Sequence, residues 1–321
     1  MSVYLMSYPR PDWGIRGGAN FLSSQLSDQP PNPQRAMKEW LTVADAIEDA
    51  GGTVLIVPPA PHLNLTGMPY TAEAGEYFVD ADGVPSFVLP KMKSAHRQPE
   101  PTWIGGYVMG LGWKTRAVSV TWEAQGDAIR IGPDRIVHTH GKGPMRRTQP
   151  EAYAQVADLL SPHHIDIQYR AYPWFHGNTF MAAFHSPDQS RAVVMVCPEA
   201  LMDGELERLE AFCGQTPVVH ITRLQSLNYA TNALQVGGTV LAPSGQDESI
   251  TKVWTDLGLE IVELKLVELF RRGGGAAVCM SNRLYGLDPA TLPPHTLYRA
   301  QRDALHSQAQ DYPTVPIDEG W

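Results

Sequence analysis

The 321-residue sequence predicts an α/β protein built from repeated units. Strand-like apolar runs alternate with helix-like segments along nearly the whole chain. The order hairpin, helix, strand also recurs in roughly five units of about 50 to 60 residues, a repeat length typical of propellers, solenoids and arrays. No linker or low-complexity tract divides the chain, so we expect one domain over residues 1–321, with a peripheral tail from about residue 292.

The first unit has the clearest pattern. Residues 3–7 predict an apolar strand, and a long loop rich in glycine, proline and asparagine covers residues 8–33. Residues 33–50 predict a helix, because their apolar positions recur at spacings of three and four. Gly51 and its glycine neighbour end this helix, and residues 53–57 follow as a buried strand.

The later units repeat this order with weaker signals. Two hairpins are indicated by the turn sequences Gly132-Pro133-Asp134 and Gly237-Gly238. The predicted strands cover residues 84–89, 117–120, 127–131, 135–139, 165–169, 191–196, 218–221, 234–236, 239–241 and 260–264. The predicted helices cover residues 100–111, 151–160, 198–212 and 246–257.

Composition limits the classes of function. A net charge of −9 and a pI near 5.6 argue against nucleic acid as the partner. No apolar run approaches the roughly 20 residues that cross a bilayer, and the first residues lack the pattern of a signal peptide. Three well-separated cysteines indicate free thiols in a cytoplasmic protein, and no metal-binding motif occurs. We therefore expect a cytoplasmic protein with no membrane segment, metal or cofactor.

Three segments carry the residue types that catalysis uses. Cys279 follows a run of three glycines, which would let a ligand approach the backbone closely; the thiol is either a nucleophile or an inert core residue. His176 follows aromatic residues and is either an acid/base or a hydrogen-bonded core histidine. Glu123 and Asp127 lie near the start of a predicted strand and Glu73 lies between small residues, so these acids either hold a cation or are solvated.

Six segments together resemble the guanidine-modifying enzymes, the pentein superfamily. This superfamily includes arginine deiminase, arginine dihydrolase, dimethylarginine dimethylaminohydrolase and the amidinotransferases. The resemblance implies a fan, or α/β-propeller, of five ββαβ units with pseudo-fivefold symmetry. The segments occur in the family's order and are Tyr70-Thr71-Ala72-Glu73-Ala74-Gly75, Trp122-Glu123-Ala124-Gln125-Gly126-Asp127, Gly143-Pro144-Met145-Arg146-Arg147-Thr148, Phe175-His176-Gly177-Asn178-Thr179, Asn232-Ala233-Leu234-Gln235-Val236-Gly237 and Gly273-Gly274-Gly275-Ala276-Ala277-Val278-Cys279.

The resemblance implies roles for the polar residues of these segments. Cys279 would attack the guanidine carbon and form a covalent thiouronium, with His176 as acid and then base. Glu73 and Glu123 would hold the guanidinium, supported by Asp127.

The resemblance also implies contacts to the rest of the substrate. Arg97 and Arg147 would pair with a substrate carboxylate, and the motif favours Arg147 over Arg146. Asn178 and Asn20 complete the predicted substrate-binding residues, and Asn20 falls in the long loop.

Three positions depart from the family's pattern. The deiminases carry an acid where this chain has Asn178, Glu73 is one methylene longer than the family's residue, and Gly177 replaces a larger residue, which predicts extra space beside His176. A neutral hydrogen bond is about half as strong as a charge-assisted one. The predicted substrate is therefore a substituted or weakly basic guanidine, such as a methylated arginine, a guanidino acid or a nitroguanidine-like compound.

The predicted activity is a hydrolase that cleaves a guanidine C–N bond and releases ammonia or an amine with a ureido product. An amidinotransferase of the same fold would use the same residues. A non-enzymatic binding protein of the same fold is a further alternative, as the ribosome anti-association factors illustrate. An unrelated α/β protein with chance motifs would lack the fivefold arrangement. The sequence leaves open whether the chain forms a homo-oligomer.

Overall fold

The computed structural model describes residues 2–15, 30–161 and 163–315. In chain order its strands and helices are β1 (Val3–Met6), α1 (Pro33–Asp49), β2 (Thr53–Ile56), β3 (Glu76–Val79), β4 (Pro85–Leu89), α2 (Glu100–Gly110), β5 (Lys114–Ala117), β6 (Ala128–Gly132), β7 (Arg135–Lys142), α3 (Tyr153–Leu160), β8 (His163–Arg170), β9 (Met181–His185), β10 (Ala192–Val196), α4 (Glu205–Cys213), β11 (Val218–His220), α5 (Arg223–Leu227), β12 (Leu234–Val236), β13 (Thr239–Pro243), α6 (Glu248–Asp256), β14 (Glu260–Leu264), β15 (Asn282–Leu284) and α7 (Tyr298–Gln308).

The strands of the described residues form five three-stranded sheets with one shared topology. In each sheet the first strand pairs antiparallel with the second, and the second pairs parallel with the third after a helical crossover. One sheet joins the two ends of the fold, because β15 pairs antiparallel with β1 and Leu284 lies opposite Val3. The predicted α/β-propeller of five ββαβ units is confirmed, and the alternative of an unrelated α/β fold is excluded.

Most predicted elements are confirmed, but three first strands were missed and one helix began too early. No strand was predicted at β3, β9 or β15, and the strand predicted over 117–120 lies three residues earlier, at β5. The helix predicted over 198–212 is instead a short turn, Pro198–Ala200, followed by α4. Gly204 separates them because its φ of 81° lies in the left-handed region that a continuous helix does not visit.

A short turn precedes the first strand of every unit. Four of these turns are 3₁₀ turns, at Thr71–Ala74, Ala124–Gly126, Gly177–Thr179 and Ala230–Asn232, and residues 277–280 form the fifth. The residue three positions before each first strand is therefore equivalent in all five units. These equivalent residues are Glu73, Gln125, Asn178, Thr231 and Cys279.

The five turns meet around the pseudo-fivefold axis. The Ala72 backbone N–H donates to the carbonyl of Cys279 at 3.0 Å, and the Thr231 hydroxyl donates to the carbonyl of Asn178 at 3.2 Å. The side-chain NH₂ of Asn178 donates to the backbone carbonyl of Gln125 at 3.5 Å. We call this set of five turns the turn ring. Because each turn is fixed by the strand that follows it, the fold brings side chains far apart in sequence to one place.

The segment from about residue 292, predicted as a peripheral tail, contains α7. This helix packs on α1: the rings of Trp40 and Tyr298 lie 5.8 Å apart, and the Tyr298 hydroxyl donates to Asp45 at 2.8 Å. Among the described residues, no helix combines the length and the apolar character that crossing a bilayer requires.

Candidate active site

A cavity of about 390 Å³ opens on one side of the turn ring. We call it the front cavity. Its walls include an aromatic part formed by Trp13, Tyr70 and Phe175 and a polar part. The predicted site residues that line it are Glu73, Arg97, Arg147, His176 and Cys279, together with the three glycines Gly273, Gly274 and Gly275.

The segment that leads to the nucleophile is held from both sides. It begins as a π-helical turn, Val267–Arg272, whose first amides need an acceptor. The carboxylate of Glu39 accepts the amides of residues 267–269 at 2.7 to 3.0 Å. The hydroxyl of Tyr70 donates to the carbonyl of Leu269 at 2.9 Å, and that of Tyr229 to the carbonyl of Gly274 at 2.8 Å. These bonds fix the backbone before Cys279.

The three glycines are required by close packing and by backbone conformation. A Cβ on Gly273 would lie 1.6 Å from the Tyr70 hydroxyl, and one on Gly275 would lie 2.3 Å from the ring of Tyr70 and 2.8 Å from the Cβ of Cys279. Gly274 has a φ of 87°, which side-chain-bearing residues rarely adopt. The run therefore lets the chain pass under Tyr70 and turn Cys279 towards the cavity.

Cys279 is only 2% exposed, and Asn232 surrounds it with hydrogen bonds. The Asn232 side-chain NH₂ donates to Cys279 Sγ at 3.1 Å, while its Oδ1 accepts the amides of Cys279 at 3.1 Å and Ala276 at 3.2 Å. Burial, and next the negative charge of Glu73, raise the pKa of the Cys279 thiol well above its usual value despite the bond from Asn232. The ligand-free protein therefore holds a neutral thiol at pH 7.

Asn232 is the residue that sequence reasoning missed. Its segment was among the six that carry the resemblance, but no role was assigned to the asparagine. An asparagine before a strand is a common turn residue, so nothing local distinguished it. Its contacts with the nucleophile depend on the turn ring, which only the fold defines.

His176 lies between two carboxylates. Its Nε2 is 2.7 Å from Glu123 Oε2 and its Nδ1 is 3.3 Å from Glu73 Oε1. Burial lowers the pKa of this imidazole, but the charge of Glu73 and the hydrogen bond with Glu123 outweigh burial and raise it. The imidazole is therefore protonated over a wider pH range than an exposed histidine.

Glu123 is fully buried and ionised. Burial raises the pKa of this carboxyl, but the nearby charge of Arg147 and the hydrogen bond from His176 hold it well below its usual range. Its Oε1 accepts the Lys93 amide at 2.9 Å, and its Oε2 is 3.5 Å from Arg147 Nη1. Arg147 also lies over the ring of Phe175, 5.1 Å from its centroid. Arg147 therefore connects the cavity wall to the pair formed by Glu123 and His176.

Arg97 is bound mainly to protein groups. Its Nη1 donates to Glu73 Oε2 at 2.7 Å and its Nε to Glu100 Oε2 at 2.9 Å, and Nη2 donates to the carbonyls of Gly67 and Tyr70 at 3.2 and 3.1 Å. Burial raises the pKa of Glu100 to about 7 even beside this guanidinium. One N–H of Arg97 is left without a bond to these groups.

An unbroken series of alternately acidic and basic side chains results from these contacts. Each member lies within 3.5 Å of the next. A charged side chain away from water is stable only with such partners. In order of contact, the residues of this series are Glu100, Arg97, Glu73, His176, Glu123 and Arg147.

Asp127 supports the histidine segment from behind. It is fully buried, and its Oδ1 accepts the Gly177 amide and the Thr139 hydroxyl, both at 2.9 Å. The prediction that Gly177 opens space beside His176 was wrong, because a Cβ there would lie 2.2 Å from the Thr139 hydroxyl. The missing side chain makes room for Thr139 and not for substrate.

Asn178 lies next to Cys279 but is not among the described residues that line the front cavity. Its Oδ1 lies 3.8 Å from Cys279 Sγ. Asn20 lies outside the described residues. No group of three histidine, cysteine or acidic side chains suited to a metal ion occurs within residues 2–15, 30–161 and 163–315.

Comparison with known proteins shows a match in structure. No protein-family model matches the chain, and no curated protein sequence matches it either. The N-terminal domain of ArgZ, an arginine dihydrolase from the ornithine–ammonia cycle in cyanobacteria, superposes in its product complex with a TM-score of 0.76 at 19% identity, covering 91% of this chain and 99% of that one. A variant of the same domain covalently bound to a reaction intermediate gives 0.76 at 19% identity and covers 91% and 100%.

A second kind of enzyme has the same fold. A dimethylarginine dimethylaminohydrolase variant, in an adduct with S-methyl-L-thiocitrulline, gives a TM-score of 0.64 at 18% identity and covers 88% of this chain and 99% of that one. At these identities the comparison establishes architecture. Together with the five ββαβ units, it shows that the chain has the pentein fold, the fold of the guanidine-modifying enzymes.

Proposed function

We propose that this protein is a hydrolase that cleaves a guanidine C–N bond through a covalent intermediate on Cys279. One observation carries the proposal: a cysteine in a fixed turn shares a cavity with a histidine held between two carboxylates. Solved structures of the same fold include an arginine dihydrolase and an enzyme named for dimethylarginine. The sequence resemblance assigns the same residues to nucleophile and acid/base.

The buried thiol explains how attack would depend on substrate. A guanidinium carbon is a poor electrophile and needs a thiolate, yet burial and Glu73 favour the neutral thiol in the free protein. A cationic guanidine beside Cys279 would offset the charge of Glu73 and stabilise the thiolate. The N–H of Asn232 that points at Sγ would also stabilise it. The nucleophile would then form chiefly when substrate is bound.

The first half of the reaction releases the amine. As the cationic guanidine binds, the Cys279 thiol loses its proton to solvent, and the resulting thiolate forms a C–S bond to the guanidine carbon. The C–N bond to the leaving nitrogen then breaks, and that nitrogen takes a proton from the His176 imidazolium. The product of this half is a thiouronium on Cys279 together with ammonia or an amine.

The second half consumes one water. The now neutral His176 removes a proton from water, whose oxygen attacks the thiouronium carbon. The C–S bond breaks, the remaining proton of the attacking water passes to the sulfur, the ureido product leaves, and Cys279 returns as the neutral thiol. Glu123 would hold the imidazole in place and stabilise its charged form in both halves.

Glu73 and Glu123 are the proposed clamp for the guanidine, with Asp127 holding the histidine segment. The contacts favour Glu73 as the member nearer the substrate, because its charge acts on Cys279 and its carboxylate lies in the cavity wall. Glu73 is already shared by Arg97 and His176, which leaves less negative charge for a cation. Asn178 adds none.

This charge balance supports a substituted or weakly basic guanidine as the substrate. A cavity of about 390 Å³ suits a small molecule. Arg147 is the better-placed group for a substrate carboxylate, since it is partly exposed in the cavity wall. Arg97 retains a single N–H for that purpose. We retain Asn20 as a further binding residue, on the resemblance alone.

Product analysis tests the proposal. Purified protein would be incubated with methylated arginines, guanidino acids, arginine and nitroguanidine, and ammonia, amines and ureido compounds would be quantified. We expect at least one compound to give a nitrogen product and a ureido product in equal amounts. Amidino transfer to an added amine without ureido product would support the amidinotransferase alternative. No turnover of any compound by folded protein would support a binding protein.

A further inference from the structure

A second cavity, of about 600 Å³, lies against the same turn ring. We call it the rear cavity. It shares no lining residue with the front cavity among the described residues, and the first strands β6, β9 and β12 line it. The polar residues that matter here are Gln125, Arg130, Asn178, His185, Thr231 and Arg283.

The rear cavity carries unbalanced positive charge. Two arginines line it, and no acidic residue is among its described lining residues. Arg130 and Arg283 both stack on Tyr285, with guanidinium carbons 4.2 and 4.8 Å from the ring centroid. Within the described part of the chain neither forms an ion pair; Arg130 donates to the Leu160 carbonyl and Arg283 to the Ser2 hydroxyl. Two like charges on one ring favour a bound anion.

The nearest acid, Glu76, offsets this charge only in part, although the charge of Arg130 opposes the rise in its pKa. Glu76 is fully buried beside the cavity, and its Oε2 accepts the Gln125 side-chain NH₂ at 3.0 Å. Burial raises the pKa of Glu76 to about 7, so it is only partly ionised at neutral pH. Arg130 also has a buried Nε–H with no partner in the described structure. A buried donor without a partner is costly and indicates an absent acceptor.

We propose that the rear cavity is a second ligand site, which binds a small carboxylate- or phosphate-bearing anion between Arg130 and Arg283. Guanidinium groups present paired N–H donors that match the oxygens of both anion types. The space is larger than in the front cavity and suits a small organic molecule as well as an inorganic ion.

The site would communicate with the nucleophile through the turn ring. Asn178 lines the rear cavity, and its Oδ1 is 3.8 Å from Cys279 Sγ. Val278 and Ser281, on either side of Cys279 in sequence, also line it. An anion bound there would change the surroundings of the thiol, and a front-cavity ligand would change anion affinity by the same factor.

Anion titration by calorimetry tests the site without requiring turnover. Wild-type protein would be titrated with inorganic phosphate and, separately, malonate, with sodium chloride holding ionic strength constant. We expect saturable one-to-one binding of at least one anion. Binding should weaken at least ten-fold in both Arg130→Gln and Arg283→Gln, and persist in the front-cavity variant Arg147→Gln and in the surface variant Arg208→Gln.

Two outcomes would overturn the proposal. One is the absence of saturable binding for both anions. The other is binding that survives Arg130→Gln but is lost in Arg147→Gln, which would place the anion in the front cavity. Arg130→Gln decides the matter alone if Arg283→Gln does not fold. A bound anion should also change the rate at which iodoacetamide alkylates Cys279 in wild type and leave that rate unchanged in Arg130→Gln.

Discussion

The two cavities share one backbone arrangement and differ in how their charges are balanced. Beside the front cavity, every member of one set of acidic and basic side chains has a partner of the opposite type within 3.5 Å. The set consists of Glu100, Arg97, Glu73, His176, Glu123 and Arg147. In the rear cavity two guanidinium groups have no such partner among the described residues. Paired charges can set protonation states, whereas unpaired charges attract a ligand. We propose that the first arrangement serves proton transfer and that the second serves ligand binding.

The turn ring shows how this difference arises from single side chains. Equivalent positions in the five units carry an acid at Glu73, a thiol at Cys279, an amide at Gln125, another amide at Asn178 and a hydroxyl at Thr231. The backbone provides five structurally equivalent positions, one in each unit. Which residue occupies each place decides whether that unit contributes to the lining of the front cavity or of the rear cavity.

The largest expected effect is the loss of the front-cavity thiol. Cys279→Ala should lower turnover at least about 10³-fold, because no other group can form the covalent intermediate. The melting temperature should change little. Cys213→Ala is the matched control: it removes a buried thiol from α4 and should keep turnover. Comparable loss in both variants would mean that the effect is structural.

A smaller but diagnostic effect concerns the pair formed by His176 and Glu123. Glu123→Gln should lower kcat by about 10²-fold or more, because the imidazolium loses its buried anion. The pKa of His176 is raised, and His176 acts as an acid when it is protonated, so wild-type activity should fall as pH rises through that pKa. Because the loss of Glu123 lowers the pKa of His176, the fall in activity should move to lower pH in the variant. The matched variant is Glu210→Gln, whose exposed pair with His220 is 3.1 Å long. An unchanged pH–kcat profile in Glu123→Gln would contradict the acid role.

Asn232 offers a test of the thiol alone. Asn232→Asp keeps an oxygen for the amides of Cys279 and Ala276 but replaces the N–H that faces Sγ. Loss of a hydrogen bond to a charged group is worth about 1.5–3 kcal/mol, so iodoacetamide should alkylate Cys279 about ten-fold more slowly or worse at pH 8. Asn228→Asp, at an exposed bond to the Gly245 carbonyl, serves as control. Equal rates in both variants would remove Asn232 from the nucleophile's support.

The smallest expected effect lies in the wall between the cavities. Asn178→Asp should raise the preference for cationic over neutral guanidines several-fold, since a charge-assisted bond is about twice as strong as a neutral one. The ratio of kcat/KM for arginine and nitroguanidine measures this preference. Because the new carboxylate also faces the rear cavity, phosphate binding there should weaken. An unchanged ratio would mean that Asn178 does not contact the substrate.

The repeat, and several of the residues that line the front cavity, could be predicted from the sequence for a physical reason. Second strands and helices bury regular apolar patterns, and the glycine run before Cys279 is unusual in any context. The first strands β6 and β12 were found because glycine-bearing hairpin turns follow them. The other three were not: β3 begins with the buried Glu76, β9 contains two alanines, and β15 has only three residues.

The partners of the charged residues could not be predicted. No role was predicted for Glu100 or Glu39, which lie on helices, yet one binds Arg97 and the other holds the turn before Cys279. Gly177 was interpreted as open space because its neighbour Thr139 comes from another strand of the fold. Contacts of this kind depend on how the five units meet, and one local pattern does not encode them.

The covalent intermediate on Cys279 is the most direct test of the central claim. Wild-type protein would be mixed with a guanidine that it consumes, quenched in acid within one turnover, digested and analysed by mass spectrometry. We predict that the peptide containing Cys279 gains the mass of the substrate less the ammonia or amine that it releases, and that the peptides containing Cys197 or Cys213 gain none. Turnover with no modification of Cys279 at any quench time, and with Cys279→Ala equally active, would contradict the account.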